Sequence, residues 1–330
     1  MNKEHQKKID VAALGELLID FTPAGQSPAG MTLYERNPGG APANVLCALA
    51  RLGLTAAFIG KVGSDAHGRF LRSVLEENHV DTSGLITSDS VFTTLAFVDL
   101  SPCGERDFSF ARKPGADTCL TPDELRRDIL EACRIFHFGS LSLTNEPARS
   151  ATVEAAAVAK KAGALISYDP NYRAPLWAGE AAAIKGMRSV LHLADLVKMS
   201  EEEVPLITGS TDFDTGVAAL FDAGVSCAVI TRGKKGAEAL TRTAHAAIPV
   251  PDVPVTDTTG AGDAFWGGFL CQILAKGVNP DALNKKDLEE CVRFANAVAS
   301  LCVQKRGAIP AMPTRAEADV FYTKAVCSLT

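Results

Sequence analysis

Long apolar runs are missing from this 330-residue chain. No window approaches 18 uninterrupted apolar residues, so no membrane-spanning helix is expected. Basic clusters are missing too. Lysine and arginine fall in short pairs and the net charge is −6, which gives nucleic acid or an anionic membrane no surface to hold. Cysteine lacks a pattern: there are nine, an odd number, with no C-x-x-C and no Cys/His pair at zinc spacing. That argues against a disulfide framework and for single thiols in a reducing cytoplasm. The start, MNKEHQKKID, has no signal-peptide apolar stretch, so no leader is expected. The string G-x-x-x-x-G-K-[S/T] is absent, because the Gly-Lys pairs at 60–61 and 233–234 run on into Val and Lys; neither H-R-D nor D-F-G occurs. These absences exclude a P-loop NTPase and a protein kinase.

What is present is an ordinary globular composition, 47% hydrophobic and 22% charged, long enough for one large domain or two. One stretch organises the rest: DTTGAGDAFWGGFL, residues 257–270. Ala264, Phe265, Trp266, Phe269, Leu270 and Ile273 recur at spacings of one, three and four, which predicts a buried helix. Asp263 then lies at the helix N-terminus, where unpaired N–H groups and a partial positive charge attract anions. Taken alone, Asp263 reads equally as a helix cap after a Gly-rich turn. For binding an anion its carboxylate would be a hindrance. It makes sense if Asp263 removes a proton from an attacking hydroxyl while the amides of Gly260, Ala261 and Gly262 hold charge on a transferring phosphoryl group.

Residues 9–21, IDVAALGELLIDF, predict a first strand with a turn or bulge at Gly15; Glu16 and Asp20 are acids in an apolar setting and need polar partners unless the strand is a solvated edge. The 31–36 segment, 91–99 and 106–112 predict short strands, with a Pro-Cys-Gly turn at 102–104, either as a small β-layer or as an edge hairpin. In NPGGAPANVLCALARLG (37–53), Gly39 and Gly40 make a tight turn, Pro42 suits a first helical turn, and Asn44 sits in that turn as a cap or a ligand. Gly63, Asp65 and Gly68 belong to a strand–turn–helix with no catalytic duty. From about 120 onward, strands (134–139, 164–169, 196–200, 227–231, 236–240) alternate with helices (122–132, 147–162, 179–192, 201–208, 213–223), and a long helix follows at 286–303. Such alternation means βαβ units, a mainly parallel sheet, and ligands beyond the C-terminal strand ends. At those ends fall FSFARKPGAD (108–117), DPNYRAPLW (169–177), KMSEEE (198–203) and TRGKKGA (231–237). Each has a plain reading as a solvated face, a turn or a charged helix start. Asp169, Asn171 and Arg173 alternate and could share one face to grasp a polyol.

These strings, in this order from about residue 9 to 314, resemble the ribokinase-like (PfkB) carbohydrate kinases, and within them the bacterial and plant fructokinases. The resemblance implies a three-layer α/β/α fold with a small β-sheet lid. The core would take residues 1–21, 38–90 and 115–330, and the lid 22–37 and 91–114. It implies transfer of the ATP γ-phosphoryl group to a sugar, fructose first, with Asp263 as base. Asp20, Gly39, Gly40, Asn44, Arg112, Asn171 and Arg173 would hold the sugar. Lys198, Ser200, Glu203, Thr231, Gly233, Gly236 and Asn296 would serve the nucleotide. Glu203 would act on Mg²⁺ through water, with Asp257 beside it; Ser200 stands where relatives of ribokinase carry Asn. Asp257 and Thr259 are candidates for enclosing a monovalent cation such as K⁺, with the chain near Gly307 and Ala308. Lids of this kind pair in some relatives and not in others, which leaves a homodimer open. A 2-keto-3-deoxygluconate kinase, with Arg112 or Arg173 on the acid, or a nucleoside kinase are the alternatives within the family; aromatic content of only 6% offers little for stacking a base. A non-catalytic sugar sensor on the same fold would be expected to have lost Asp263 or the glycines beside it.

Overall fold

The structure, a computed structural model, describes residues 7–100 and 106–327. Among the described residues, thirteen strands divide between two sheets. The large sheet contains β1 (Ile9–Leu14), β4 (Ala56–Gly63), β5 (Val80–Ser88), β8 (Cys133–Gly139), β9 (Leu165–Asp169), β10 (Leu196–Ser200), β11 (Cys227–Thr231), β12 (Ala237–Leu240) and β13 (His245–Ile248), in the order β13-β12-β11-β10-β9-β8-β1-β4-β5. Its pairs are parallel except for the antiparallel β11–β12–β13 edge. The small sheet orders β2 (Leu18–Gln26), β3 (Thr32–Gly39), β6 (Leu95–Leu100) and β7 (Arg106–Ala111) as β3-β2-β6-β7.

Among the described residues, ten α-helices complete the core: α1 (Ala41–Arg51), α2 (Ala66–Glu77), α3 (Arg127–Ala132), α4 (Ala148–Lys161), α5 (Glu180–Arg188), α6 (Glu203–Thr208), α7 (Phe213–Asp222), α8 (Ala261–Lys276), α9 (Lys285–Cys302) and α10 (Arg315–Cys327). Alternate residues of each strand point to opposite faces. Val11 and Ala13 therefore pack in one apolar layer with Trp266 and Phe269 of α8, and Ala12 and Leu14 pack in the other with Ala155 of α4 and Leu220 of α7. Burial on both faces explains why the central strands read as continuous apolar runs. The result is the α/β/α sandwich with a separate small sheet that the sequence led us to expect. Among the described residues no helix is long and apolar enough to cross a membrane.

Three differences bear on the site. The single strand expected over 9–21 is two strands, and the chain changes sheets at residues 15–17, so the small sheet begins at Leu18 rather than at 22. A side chain at Gly15 would meet Pro42 Cγ at 2.6 Å, so this crossing packs against the start of α1. The strand expected from residue 91 begins only at Leu95. Asp65, which caps α2, also accepts from the Thr93 amide at 2.8 Å, and Thr94 Oγ1 donates to Asp117, so the residues before Leu95 are held as a crossing between sheets. The strands β5 and β13 and the helix α10 were not anticipated. The turn expected at 102–104 lies outside the described residues.

Candidate active site

The N-terminus of α8 is built by backbone demands. Gly260 caps it at φ +75, and a Cβ there would meet Ala308 Cβ at 2.6 Å, so both conformation and space require glycine. The Ala261 amide donates to the Thr258 carbonyl at 3.2 Å. Ala261 is thus less available for an anion than the sequence suggested, while Gly262 and Asp263 begin the helix without i−4 partners for their amides. Upstream, Asp257 fixes the loop: Oδ1 accepts from the Thr259 amide at 3.0 Å and its hydroxyl at 2.7 Å, and Oδ2 accepts from the Gly307 amide at 3.0 Å.

Asp263 meets α1. Asn44 Nδ2 donates to Asp263 Oδ2 at 2.7 Å. The two helices approach closely because a Cβ at Gly267 would come within 2.7 Å of Ala48 Cβ. Gly40, with φ +119 and no room for a Cβ beside the Glu16 carbonyl, leads into α1. Glu16 Oε1 accepts the Ala41 amide at 2.8 Å. Burial raises Asp263 to about 6, against the lowering effects of Lys198, the Asn44 hydrogen bond and Arg173; Asp169 adds to the rise. That is a suitable range for a base working near neutrality.

Asp20, on β2, is likewise raised to about 6 by burial, with Arg173 acting the other way. Gly39 leaves room for it, since a Cβ there would fall 2.2 Å from Asp20 Oδ2. A cleft lies between Asp20, Thr22 and Asn37 of the small sheet and Asp257, Thr259 and Gly307 of the core. Glu35 and Arg306 form an ion pair at 3.0 Å that ties the small sheet to the loop carrying Gly307. Asn171 sits at φ +44 in the loop after β9, a left-handed conformation that Asn tolerates. Arg173 beyond it is exposed, and its charge acts on both Asp20 and Asp263.

Glu203 opens α6 with both oxygens engaged, Oε1 by the Tyr172 amide at 2.6 Å and Oε2 by the Ser200 amide at 2.7 Å. It therefore joins the end of β10 to the Asn171–Arg173 loop. Thr231 pairs with Ser200 across β10 and β11. Gly233 (φ +51) and Gly236 (φ +101) shape the following turn, and a Cβ on Gly236 would strike the Ile248 carbonyl at 2.1 Å.

Two expected ligand residues are occupied by the protein itself. Arg112 is 8% exposed; its Nε and Nη2 engage Asp117, Nη2 also the Leu141 carbonyl, and Nη1 the Thr144 hydroxyl. That leaves one guanidinium hydrogen for a sugar. Asn296 Nδ2 donates to the carbonyls of Ile248 (3.3 Å) and Pro249 (3.2 Å), holding α9 to the end of β13. The residue under-read from sequence is Asp169, whose carboxylate pairs with Lys198 at 2.5 Å. The signal was a lysine in the middle of the apolar strand LVKMS, which needs an acid on a neighbouring strand.

Comparison with known proteins shows what the chain is similar to. Residues 8–315 match the family described as pfkB family carbohydrate kinase. Fructokinase-2 of Oryza sativa subsp. japonica is 43% identical over 96% of this chain and 94% of its own length. The crystal structure of fructokinase with bound ATP from Xylella fastidiosa superposes with a TM-score of 0.88 at 34% identity, covering 97% of this chain and 99% of that one. Fructokinase from Vibrio cholerae O395, in a form binding fructose, ADP and calcium ion, gives a TM-score of 0.84 at 34% identity over 95% and 99% of the two chains.

Proposed function

The chain belongs to the pfkB family of carbohydrate kinases, and from its site we infer that it is a fructokinase, passing the γ-phosphoryl group of ATP to the 6-hydroxyl of D-fructose. The observation that carries the mechanism is Asp263 in the first turn of α8, where the first amides of a helix lack i−4 partners, held by Asn44. Asp263 takes the hydroxyl proton as the sugar oxygen attacks phosphorus. The bond to the leaving β-phosphate oxygen breaks, and ADP departs with the electron pair. The amides meet charge on the transferring group, where removal of one such donor in other enzymes costs about 10²-fold or more. Asp20, Gly39, Gly40, Asn44, Asn171 and Arg173 border the sugar; Lys198, Ser200, Thr231, Gly233 and Gly236 border the nucleotide.

Mg²⁺ takes few protein ligands in kinases and keeps several waters. Glu203, acting through water, is the residue we assign to it, and bound Mg²⁺ would neutralise charge on the β- and γ-phosphates. Asp257 and Thr259, folded around Gly307, support a K⁺ site in the same loop. The seven described cysteines are free thiols, which supports a reducing, cytoplasmic setting. Exposed Met31, in the turn before β3, and Leu33 on β3 support a homodimer formed through the lid.

The test is ADP release with Mg·ATP and fructose, ribose, 2-keto-3-deoxygluconate, adenosine or glucose, each with and without K⁺. Turnover on fructose above the others supports the reading. Turnover on the keto acid alone would reassign Arg173, the exposed arginine of the site, to a carboxylate.

A further inference from the structure

The first turn of α1 carries Asn44, and it cannot cap itself. Its N-cap is Gly40, held at φ +119, where a Cβ would fall 2.3 Å from the Glu16 carbonyl oxygen, so no Ser, Asp or Asn cap fits there. Pro42 has no N–H, the turn holds no acid, and the Asn44 amide is bonded to the Gly40 carbonyl at 2.9 Å. The cap comes from elsewhere in the chain: Glu16 Oε1 accepts the Ala41 amide at 2.8 Å. Stability alone does not account for an acid in that place. Glu16 is 3% exposed, burial pushes it up to about 7, and among the described residues its Oε2 has no hydrogen-bond partner. A half-satisfied buried carboxyl is costly. What Glu16 provides is connection. It lies in the crossing between β1 and β2, so its hydrogen bond joins the strand that carries Asp20 to the helix that carries Asn44. The Asn44 side chain is gripped at Nδ2 by Asp263, while Oδ1 is buried and, among the described residues, without a partner. The reach of Asn44 is therefore set by the backbone of its turn. The approach of Ala48 to Gly267 fixes the middle of α1 against α8, and Glu16 fixes its start.

We propose that Glu16 is a positioning residue of the phosphoryl transfer: capping α1 from the crossing between the sheets, it holds Asn44 where its amide can order the Asp263 carboxylate. The proposal rests on the kinase reading above. Reach, and not charge, is then the property that matters, because Oε1 can accept whether or not Oε2 carries a proton. Glutamine keeps that acceptor. Methionine, of similar shape, removes it. Aspartate keeps the charge but is one methylene too short. The charged and titratable groups facing Glu16 are Asp117 and Arg112. Those facing Asp263 are Lys198 from β10, Asp169 from β9, Arg173 from the loop after β9 and, more distantly, Cys302 from α9. None of them is altered in the variants that test the role.

The experiment titrates Asp263 in the ligand-free protein by ¹³C NMR of carboxyl-labelled aspartate, beside the pH dependence of kcat/KM. It compares wild type, Glu16→Gln, Glu16→Met, Glu16→Asp, Asn44→Ala and the Glu16→Met/Asn44→Ala double variant. In Glu16→Met the titration and the acid limb should move upward together from about 6, because the Asn44 hydrogen bond that lowers the Asp263 pKa is loosened. Its kcat should fall roughly 10-fold or more, since a displacement of about 1 Å can cost ~10²-fold. Glu16→Gln should match wild type in both. On the Asn44→Ala background, Glu16→Met should move the titration no further, because both changes act through the same bond. Should Glu16→Met fail to fold, Glu16→Asp must show the upward shift in its place. An unmoved titration, a glutamine variant that behaves like methionine, or shifts of Glu16→Met and Asn44→Ala that add in full would each overturn the proposal. So would a chain that folds with glutamine but with neither methionine nor aspartate, which would make Glu16 part of the scaffold. The two readings fail separately. A moved titration in a protein that never phosphorylates fructose would leave the positioning role standing and remove the fructokinase reading; turnover of fructose with the titration unmoved would do the reverse.

Discussion

Asn44 Nδ2 donates to Asp263 Oδ2 at 2.7 Å across 219 residues of chain, and this bond bears on the charge state of the base. It favours the carboxylate, working against burial. Asn44→Ala should therefore raise the Asp263 pKa and move the acid limb of kcat/KM upward from about 6. A pH–rate profile in which the limb stays put or moves down would remove Asn44 from this role.

Asp263→Asn should lower kcat by at least ~10²-fold while fructose and Mg·ATP still bind. It should also stabilise the protein in a defined pH range. The folded-state pKa of about 6 exceeds the ordinary value of 3.8, so between those pH values the native state holds a proton that the unfolded state has lost. Stability then falls as pH rises through this window, and the cost is complete above the folded value. The asparagine variant should have the higher Tm at pH 8 and gain little at pH 4. Thermal melts at the two pH values check this.

Much of the site was legible because its constraints are local. Gly260, Gly262 and Asp263 are neighbours in sequence and in space, and Gly39–Gly40 with Pro42 announces the start of α1. The fold was legible for the same reason, since strands buried on both faces show as apolar runs between amphipathic helices. What stayed hidden depends on contacts distant in the chain. Nothing near Arg112 shows that Thr144 and the Leu141 carbonyl will absorb its donors, and nothing near Asn296 points to the carbonyls of β13. The crossing at residues 15–17 is only Gly-Glu-Leu between two apolar strands, too short to break the run, so one strand reads the same as two.

Gly260→Ala should abolish turnover and destabilise the fold. The new Cβ would sit in a left-handed conformation and 2.6 Å from Ala308 Cβ, so strain and overlap combine. Each contributes on the order of 1–3 kcal/mol. Urea denaturation and kcat measured together check it; a stable, active variant would contradict the geometry of the α8 cap.

Arg112 and Arg173 were grouped together on sequence grounds, and the structure predicts opposite phenotypes for them. Arg112→Met strands Asp117, 6% exposed, without its cation, and breaking a buried pair in this way costs about 3–5 kcal/mol. Any loss of turnover should then track the unfolded fraction and vanish when kcat is expressed per folded enzyme, with fructose KM unchanged. Arg173 is exposed and, among the described residues, donates only to the Tyr172 carbonyl, at 3.0 Å. Arg173→Ala should leave Tm nearly unchanged. It should raise the pKa of both Asp20 and Asp263, because its charge lowers both. The acid limb of kcat/KM would then shift upward and steepen as two carboxylates titrate higher. Fructose KM should rise as well, with kcat at pH 8 little affected because both acids are ionised there. Melting curves beside pH profiles for the two variants separate the roles, and an Arg173 variant that unfolds without a shifted limb would return it to the scaffold.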